Sequence, residues 1–447
     1  MRVVILGAGV VGYQIAEQLI SEGKDVVIIE KNPERSKYLS GKLDCLVINE
    51  EGTNIAALKH AGMSDASIFI SATNSDEVNM IACGLVASEF HVPMKIARVR
   101  NIDYSKSKIM GKSFLGIDLI VNSEVETARQ IANTIALGAD SDVMLFENTD
   151  LQMRNVMVAT GSYFANKSVK DIRRGITEPF LIAGIFREND FIIPIGDTIV
   201  KEGDNVYLLA TQKNFTKIFI QVGKKQEKID RIVIVGGGRV GLLACEYLIR
   251  TGRKITVVEA EYERCKFLSD KFPDALILNA DISDESVFQE EEIGKHDLIV
   301  MVTDNQELNM LMSLYAKSMG IRRSIALVTN SSYLTIASKL DIDVTINPKM
   351  STVDAIMKYI RRGNIKSLHS VFHGRAEVIE FAIGEGSSLA GKRLKDLEFP
   401  ENSIILSVVR NNESILPHGN LFIQANDLVL MIAEKASIPE IEKFIQG

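Results

Sequence analysis

The sequence predicts an α/β protein made by tandem duplication: two parallel-sheet domains, each followed by a small α+β domain. Three observations carry that reading. The run Gly7-Ala8-Gly9-Val10-Val11-Gly12 returns half a chain later as Gly236-Gly237-Gly238-Arg239-Val240-Gly241. Each run sits in an alternation of short apolar strands and helical patterns. A second, smaller repeat follows each alternation. Self-similarity on this scale is weighed before any single motif, because a duplicated unit carries its whole fold with it.

In the first half, Val3–Leu6 is a continuous apolar strand, and Val11–Ser21 has helical spacing with Ile15, Leu19 and Ile20 on one side. Further strands read at Val26–Glu30, Cys45–Ile48, Ile68–Ala72, Lys95–Val99 and Leu119–Val121. Apolar strands bracketed by helices indicate a parallel sheet covered on both faces. The series repeats at Ile232–Val235, Ile255–Glu259, Leu276–Leu278, Leu298–Val302, Ile325–Val328 and Val344–Ile346. Glu30 and Glu259 each lie 18 residues past the last glycine of their loop. Glu34-Arg35 matches Glu263-Arg264, and Thr73–Met80 matches Thr303–Met310 with Asn79 opposite Asn309. Asp118 and Asn122 match Asp343 and Asn347, and each series ends in a helical stretch, Ser123–Leu137 or Lys349–Arg362.

The smaller repeat aligns Phe164–Ile172 with Leu389–Leu397, Ile185-Phe186-Arg187 with Val408-Val409-Arg410, and Asp204–Leu208 with Asp427–Met431. These stretches read as β-rich, with turn signals at Glu188-Asn189-Asp190 and Asn411-Asn412-Glu413. The order is therefore A-B-A-B, with charged or glycine-containing seams near Gly138–Ser141, Val222–Lys228 and Gly363–Lys366. The expected domains are 1–138, 139–223, 229–364 and 365–447.

Composition excludes several classes. A net charge of −7 disfavours general nucleic-acid binding, which needs a basic face. No apolar run approaches the roughly 20 residues that span a bilayer, so direct membrane insertion is not expected. The start, Met1–Gly7, is too short an apolar run for a signal peptide and leads straight into the glycine loop. Cys45, Cys83, Cys245 and Cys265 have no C-x-x-C spacing and read as reduced thiols.

The glycine loops carry the chemistry. Gly7 and Gly236 are placed for a tight turn, Gly9 and Gly238 for close approach of a pyrophosphate, and Gly12 and Gly241 for helix–strand packing. The intervening Ala8, Val10 and Val11, and Gly237, Arg239 and Val240, bring their N–H groups to a helix N-terminus that favours phosphate. This is a Rossmann-like signature. Glu30 and Glu259 end the second strand of each unit, where a carboxylate accepts hydrogen bonds from an adenosine ribose and repels a 2′-phosphate, favouring NAD(H) over NADP(H). Lys31 offsets part of that selectivity, and Arg239 either adds charge toward phosphates or changes which nucleotide the second cleft accepts. Glu51 and Asp281 follow the third strand, near an adenine in this fold. Thr73-Asn74 and Thr303-Asp304 follow the fourth strand, on the edge where ligands bind. Arg98 follows the fifth and is replaced by Leu327; it meets either phosphate or a neighbouring subunit. Each of these loop residues also reads as a solvated loop or helix cap.

Catalytic constellations are missing. Six histidines (His60, His91, His296, His369, His373 and His418) are scattered. His369 and His373 have metal-ligand spacing for a helix, but Leu368–Phe372 reads as a strand. No metal site is expected. No G-x-S-x-G, H-E-x-x-H or P-loop lysine occurs.

With the A-B-A-B order and these loops in hand, the chain resembles the TrkA family, the peripheral NAD-binding subunits of Trk potassium-uptake systems. The resemblance runs nearly the full length as tandem RCK N-terminal and RCK C-terminal domains. It rests on Gly7, Gly9, Gly12 and Glu30, on Gly236, Gly238, Gly241 and Glu259, on Thr73–Asn79, and on Ala97-Arg98-Val99-Arg100-Asn101. It implies a non-enzymatic regulator that binds NAD+ or NADH, with ATP or ADP as further ligands. It also implies a homotetrameric ring on the inner face of the cell membrane, docked under a TrkH-type potassium-translocating partner. The terminal helices of the A domains would then be interface elements. Two readings of other classes stay open at this point: a cytosolic NAD-dependent oxidoreductase, and a regulator of a cation efflux channel or antiporter built from the same domains.

Overall fold

The computed structural model describes residues 1–101, 104, 114–136, 143–146, 149–188, 190–222, 229–337, 340–360, 365–371, 376–400, 402–411, 413–434, 437 and 440–441. The seams expected at Gly138–Ser141 and Gly223–Lys228 lie outside them, as do Gly363, Leu137, Arg361, Arg362 and His373.

The chain forms two compact units that interleave in sequence. Met1–Asp140 and Lys228–Ile360 make one; Ser141–Glu227 and Arg361–Gly447 make the other. Like thus groups with like: the two large domains share one unit and the two small domains share the second.

In the large unit, the first domain runs β1 (Arg2–Leu6), α1 (Val10–Ser21), β2 (Asp25–Ile29), α2 (Pro33–Ser40), β3 (Leu46–Ile48), α3 (Ile55–His60), β4 (Ile68–Ser71), α4 (Asp76–Glu89), β5 (Met94–Arg98), β6 (Leu119–Val121) and α5 (Ser123–Ala136). The sheet order is β3-β2-β1-β4-β5-β6, all parallel. Strand order reverses between β1 and β4, and in such sheets ligands bind at that switch point, beyond the carboxyl ends of the strands. The glycine loop leaves β1 there. β2 ends at Ile29, one residue short of the strand expected over Val26–Glu30, so Glu30 stands just past the strand, turned toward the loop.

Strand residues alternate between two cores. Val3, Ile5, Ile28 and Ile70 pack under α1, whereas Val4, Leu6, Ile29 and Phe69 pack against α3 and α4. Both faces are covered, which is why these strands lack polar alternation.

In the small unit, β7 (Val143–Leu145), β8 (Leu151–Met157), β10 (Leu181–Arg187), β11 (Asp190–Ile192) and β13 (Asn205–Thr211) form an antiparallel sheet of order β11-β10-β13-β8-β7. β9 (Lys167–Ser168) and β12 (Ile199–Val200) pair separately. The helices of this α+β domain, whose positions the β-rich stretches did not give, are α6 (Val169–Gly175) and α7 (Gln212–Gln221). Each starts at a hydroxyl cap, Ser168 accepting from Asp171 N and Thr211 from Asn214 N.

The second large domain repeats the first: β14 (Arg231–Val235), α8 (Arg239–Ile249), β15 (Lys254–Glu259), α9 (Tyr262–Lys271), β16 (Leu276–Asn279), α10 (Glu285–Glu290), β17 (Leu298–Met301), α11 (Gln306–Ser318), β18 (Arg323–Leu327), α12 (Ser331–Ala337), β19 (Val344–Ile346) and α13 (Pro348–Ile360). Its sheet order, β16-β15-β14-β17-β18-β19, is that of the first. The second small domain, β20 (Ile365–Val371), β21 (Ala376–Ala382), β22 (Ser403–Arg410), β23 (Glu413–Ile415) and β24 (Leu428–Glu434), likewise repeats the topology of its counterpart. Both small domains clamp a buried aspartate with a bidentate arginine, Arg187 on Asp204 and Arg410 on Asp427. One shared core holds the pair together, with Met153, Leu181 and Leu209 packed with Val378, Leu406 and Ile432.

The terminal helices of the large domains are exchanged. Ala128, Ile131 and Ile135 of α5 are buried in the core beneath α8, in the other domain. Val353, Ile356, Met357 and Ile360 of α13 are buried in the core beneath α1. Each domain completes its partner's hydrophobic core. Where the two helices cross, the contact is small and polar: Thr352 Oγ1 donates to Ser123 Oγ at 2.9 Å, and Ser351 Oγ to Gln130 Oε1 at 2.6 Å.

Candidate functional site

The three glycines of each loop occupy three different environments. Gly7 has φ +88° and Gly236 φ +103°, a conformation that disfavours any side chain. A Cβ on Gly12 would stand 2.0 Å from the Gly7 carbonyl oxygen, and one on Gly241 1.9 Å from that of Gly236, so helix and loop meet with no room to spare. A Cβ on Gly9 or Gly238 would meet nothing within 4 Å. These last two are the N-caps of α1 and α8, and neither helix has a side-chain cap. The first-turn N–H groups, from Val10, Val11 and Gly12 and from Arg239, Val240 and Gly241, therefore have no side-chain cap, an arrangement that attracts anions.

Glu30 ties this loop to the end of β2. Its carboxylate accepts from Ala8 N and from Asn32 N, both at 2.9 Å. Glu259 does the same for Gly237 N at 2.6 Å and Glu261 N at 2.8 Å. An arginine on the next helix completes each frame: Arg35 Nε donates to the Ala8 carbonyl, and Arg264 Nε to that of Gly237 at 2.7 Å. Acid and arginine thereby hold the N–H and the carbonyl of one residue in each loop, Ala8 and Gly237. Sequence reading matched these two arginines to each other without giving them a role; their repetition beside the acids was the available signal. Glu51 is exposed in the loop after β3. Asp281 is turned inward on its own loop, accepting from Ser283 N at 2.9 Å and Ser283 Oγ at 2.6 Å, bonds that hold its carboxyl below the usual range.

The opposite wall is set by a buried asparagine that sequence reading also left without a role. Asn79 Oδ1 accepts from Thr73 N at 2.9 Å and Thr73 Oγ1 at 2.7 Å, while its amide donates to the Thr73 and Arg98 carbonyls. Asn309 repeats the set with Thr303 and the Leu327 carbonyl. Because the second anchor is a main-chain carbonyl, the clamp survives the change from Arg98 to Leu327.

Charge then separates the two clefts. Arg98 donates from Nε to Ser123 Oγ at 3.2 Å and from Nη1 to the Thr73 carbonyl at 3.4 Å. Burial, then the nearby Arg100 charge, lowers its pKa. Arg100 reaches the Asn74 carbonyl and lies 3.6 Å from Asp76. The second copy has Leu327 and Thr329 at these places, with Thr329 held by Gln306 and Asp304 opposite Asn74. Arg239 is exposed on the second glycine loop, 3.9 Å from Glu124 of α5.

No group of three or more metal-binding side chains occurs among the described residues. His369 lies on β20, a strand as its apolar neighbours suggested. The four cysteines are free, and burial pushes Cys83 up to about 12 and Cys45 and Cys245 up to about 11, away from nucleophilic thiolate character. Among the described residues no helix is long and apolar enough to cross a membrane.

A family model described as TrkA-N domain matches residues 3–123 and again 232–348. A second, described as TrkA-C domain, matches residues 153–220 and 378–446. The chain belongs to the TrkA family. Among TrkA proteins, the Trk system potassium uptake protein TrkA of Halomonas elongata is 30% identical over 453 residues, covering 100% of this chain and 99% of that one. The TrkA homolog of Archaeoglobus fulgidus is 32% identical over 446 residues, covering 100% of both. In fold the chain is like the crystal structure of the GsuK RCK domain, with a TM-score of 0.56 and 16% identity over 100% of this chain and 95% of that one. The GsuK channel bound to NAD gives 0.57 and 16%, over 100% of this chain and 79% of that one.

Proposed function

We propose that the chain is a nucleotide-sensing regulatory subunit of a potassium uptake system, and not an enzyme. One observation carries this: the same loop–acid–arginine frame is built twice, in a member of the TrkA family. NAD+ or NADH, with ATP or ADP as further ligands, would occupy the clefts. The uncapped N-termini of α1 and α8 would meet the phosphates, and Glu30 and Glu259 the ribose hydroxyls, in exchange for their present main-chain partners. Thr73, Asn74 and Thr303 would border the ligands, with Glu51 and Asp281 toward the adenine. The domains would follow the boundaries 1–138, 139–223, 229–364 and 365–447. Four chains would form a ring on the inner face of the membrane beneath a TrkH-type partner, whose gate would respond to the ring.

The energetics of such a sensor are simple. A ligand shifts a two-state assembly only by its differential affinity for the two states. Each factor of ten is about 1.4 kcal/mol, and several clefts acting together multiply it. The test is potassium flux into vesicles holding the membrane partner, with the purified chain added. Flux should change with nucleotide when the chain is present, and NADH should be bound without being oxidised. Flux indifferent to nucleotide, or NADH consumed during binding, would overturn the proposal.

A further inference from the structure

The large unit repeats itself, yet the junction between glycine loop and exchanged helix is built differently on its two sides. On one side Arg239, on the second glycine loop, meets Glu124 in the first turn of α5 at 3.9 Å. The neighbouring Ser123 accepts from Arg98 of the first cleft and from Thr352 of α13. Glu124 Oε2 is buried and has no hydrogen-bond partner among the described residues. Its charge also acts on Arg98, against the larger effects of burial and of Arg100. On the reciprocal side the charged groups and the serine are lost or reversed: Val10 stands for Arg239, Leu327 for Arg98, Pro348 for Ser123 and Lys349 for Glu124. Lys349 instead donates to the Thr329 carbonyl at 3.4 Å, within its own domain.

We propose that Glu124 is a charge shared by the two clefts, so that a phosphate ligand in one weakens phosphate binding in the other. The inference rests on the nucleotide reading of the clefts. Arg98 borders the first cleft and Arg239 the second, and Glu124 acts on both. A phosphate that engages either arginine removes part of the positive charge balancing Glu124. The half-partnered carboxylate then holds the remaining arginine more firmly, and that arginine is less available to a second phosphate. The coupling is reciprocal by thermodynamic necessity. It is modest, because Arg239 is 70% exposed and solvent screens the pair. Exposed ion pairs of this kind change affinity by about two- to five-fold.

The experiment is ADP calorimetry on the full chain. Glu30→Ala reports the second cleft alone and Glu259→Ala the first alone; wild type reports each with its neighbour filled. ADP should bind the second cleft about two- to five-fold more weakly in wild type than in Glu30→Ala. In the Glu124→Gln background that ratio should fall to about one, while Lys349→Gln, on the reciprocal side, should leave it at the wild-type value. An unchanged ratio in Glu124→Gln, or no coupling in wild type, would overturn this inference and leave the nucleotide reading intact. Absence of ADP binding to either cleft would overturn both.

Discussion

Replacing Ile356 by alanine should cost the protein about 2–5 kcal/mol, the range for truncating a fully buried aliphatic side chain, and the loss should be felt in the other large domain. Ile356 belongs by sequence to the second domain but is buried with Ile15 and Leu19 of α1 in the first domain's core. Ile131→Ala is its mirror, emptying the core beneath α8 from a helix of the first domain. Hydrogen exchange separates the outcomes. Ile356→Ala should speed exchange in Val10–Ser21 more than in Arg239–Ile249, and Ile131→Ala the reverse. The two cores share no residue, so the two losses should add to within about 0.5 kcal/mol. Exchange rising only in the mutated helix's own domain would show that the helices are not exchanged.

Alanine at Gly12 should lower stability and affinity together, whereas alanine at Gly9 should lower affinity with little loss of stability. In a helix interior alanine is favoured over glycine by about 1 kcal/mol. At Gly12 that gain is outweighed, because the new Cβ would lie 2.0 Å from a main-chain oxygen. Overpacking of this kind costs about 1–3 kcal/mol or more, and loop and helix must separate. Gly12→Ala should therefore lower both stability and nucleotide affinity. Gly9 has φ −57°, which alanine adopts, and open space before it. Gly9→Ala should cost less than about 1 kcal/mol of stability, as expected for a glycine N-cap. Its methyl group would occupy the approach to the first-turn N–H groups, so affinity at the first cleft should fall more than about tenfold, the equivalent of losing one charge-assisted hydrogen bond. Thermal unfolding and ligand titration on both variants check the pair. Equal affinity in Gly9→Ala and wild type would remove the pyrophosphate from this loop.

Much of this architecture was legible because its signals are local. Apolar strands, glycine loops and the acid after β2 each carry their own spacing, and duplication allowed every one to be read twice. The exchange of α5 and α13 was not legible. An apolar stripe on Ser123–Leu137 says that the helix is buried, not against which domain. Arg98 and Arg239 stayed ambiguous for a related reason: their partners, Ser123 and Glu124, lie on that same helix, and its placement decides what each arginine faces. Asn79, Asn309, Arg35 and Arg264 stood in plain alignment, but a buried amide clamp and a main-chain hook have no sequence signature beyond recurrence. Helices α6 and α7 were expected of an α+β domain but not located inside the β-rich segments, although Ser168 and Thr211 mark their starts.

Both glycine loops are proposed to bind nucleotide. Calorimetry with NAD+, NADH, ATP and ADP on wild type, Glu30→Ala and Glu259→Ala tests this most directly. Losing hydrogen bonds from a charged group to ribose costs about 1.5–3 kcal/mol, so each substitution should weaken binding at one cleft by about ten- to a hundredfold and leave the other occupied. Identical isotherms for all three chains with every nucleotide would contradict the account.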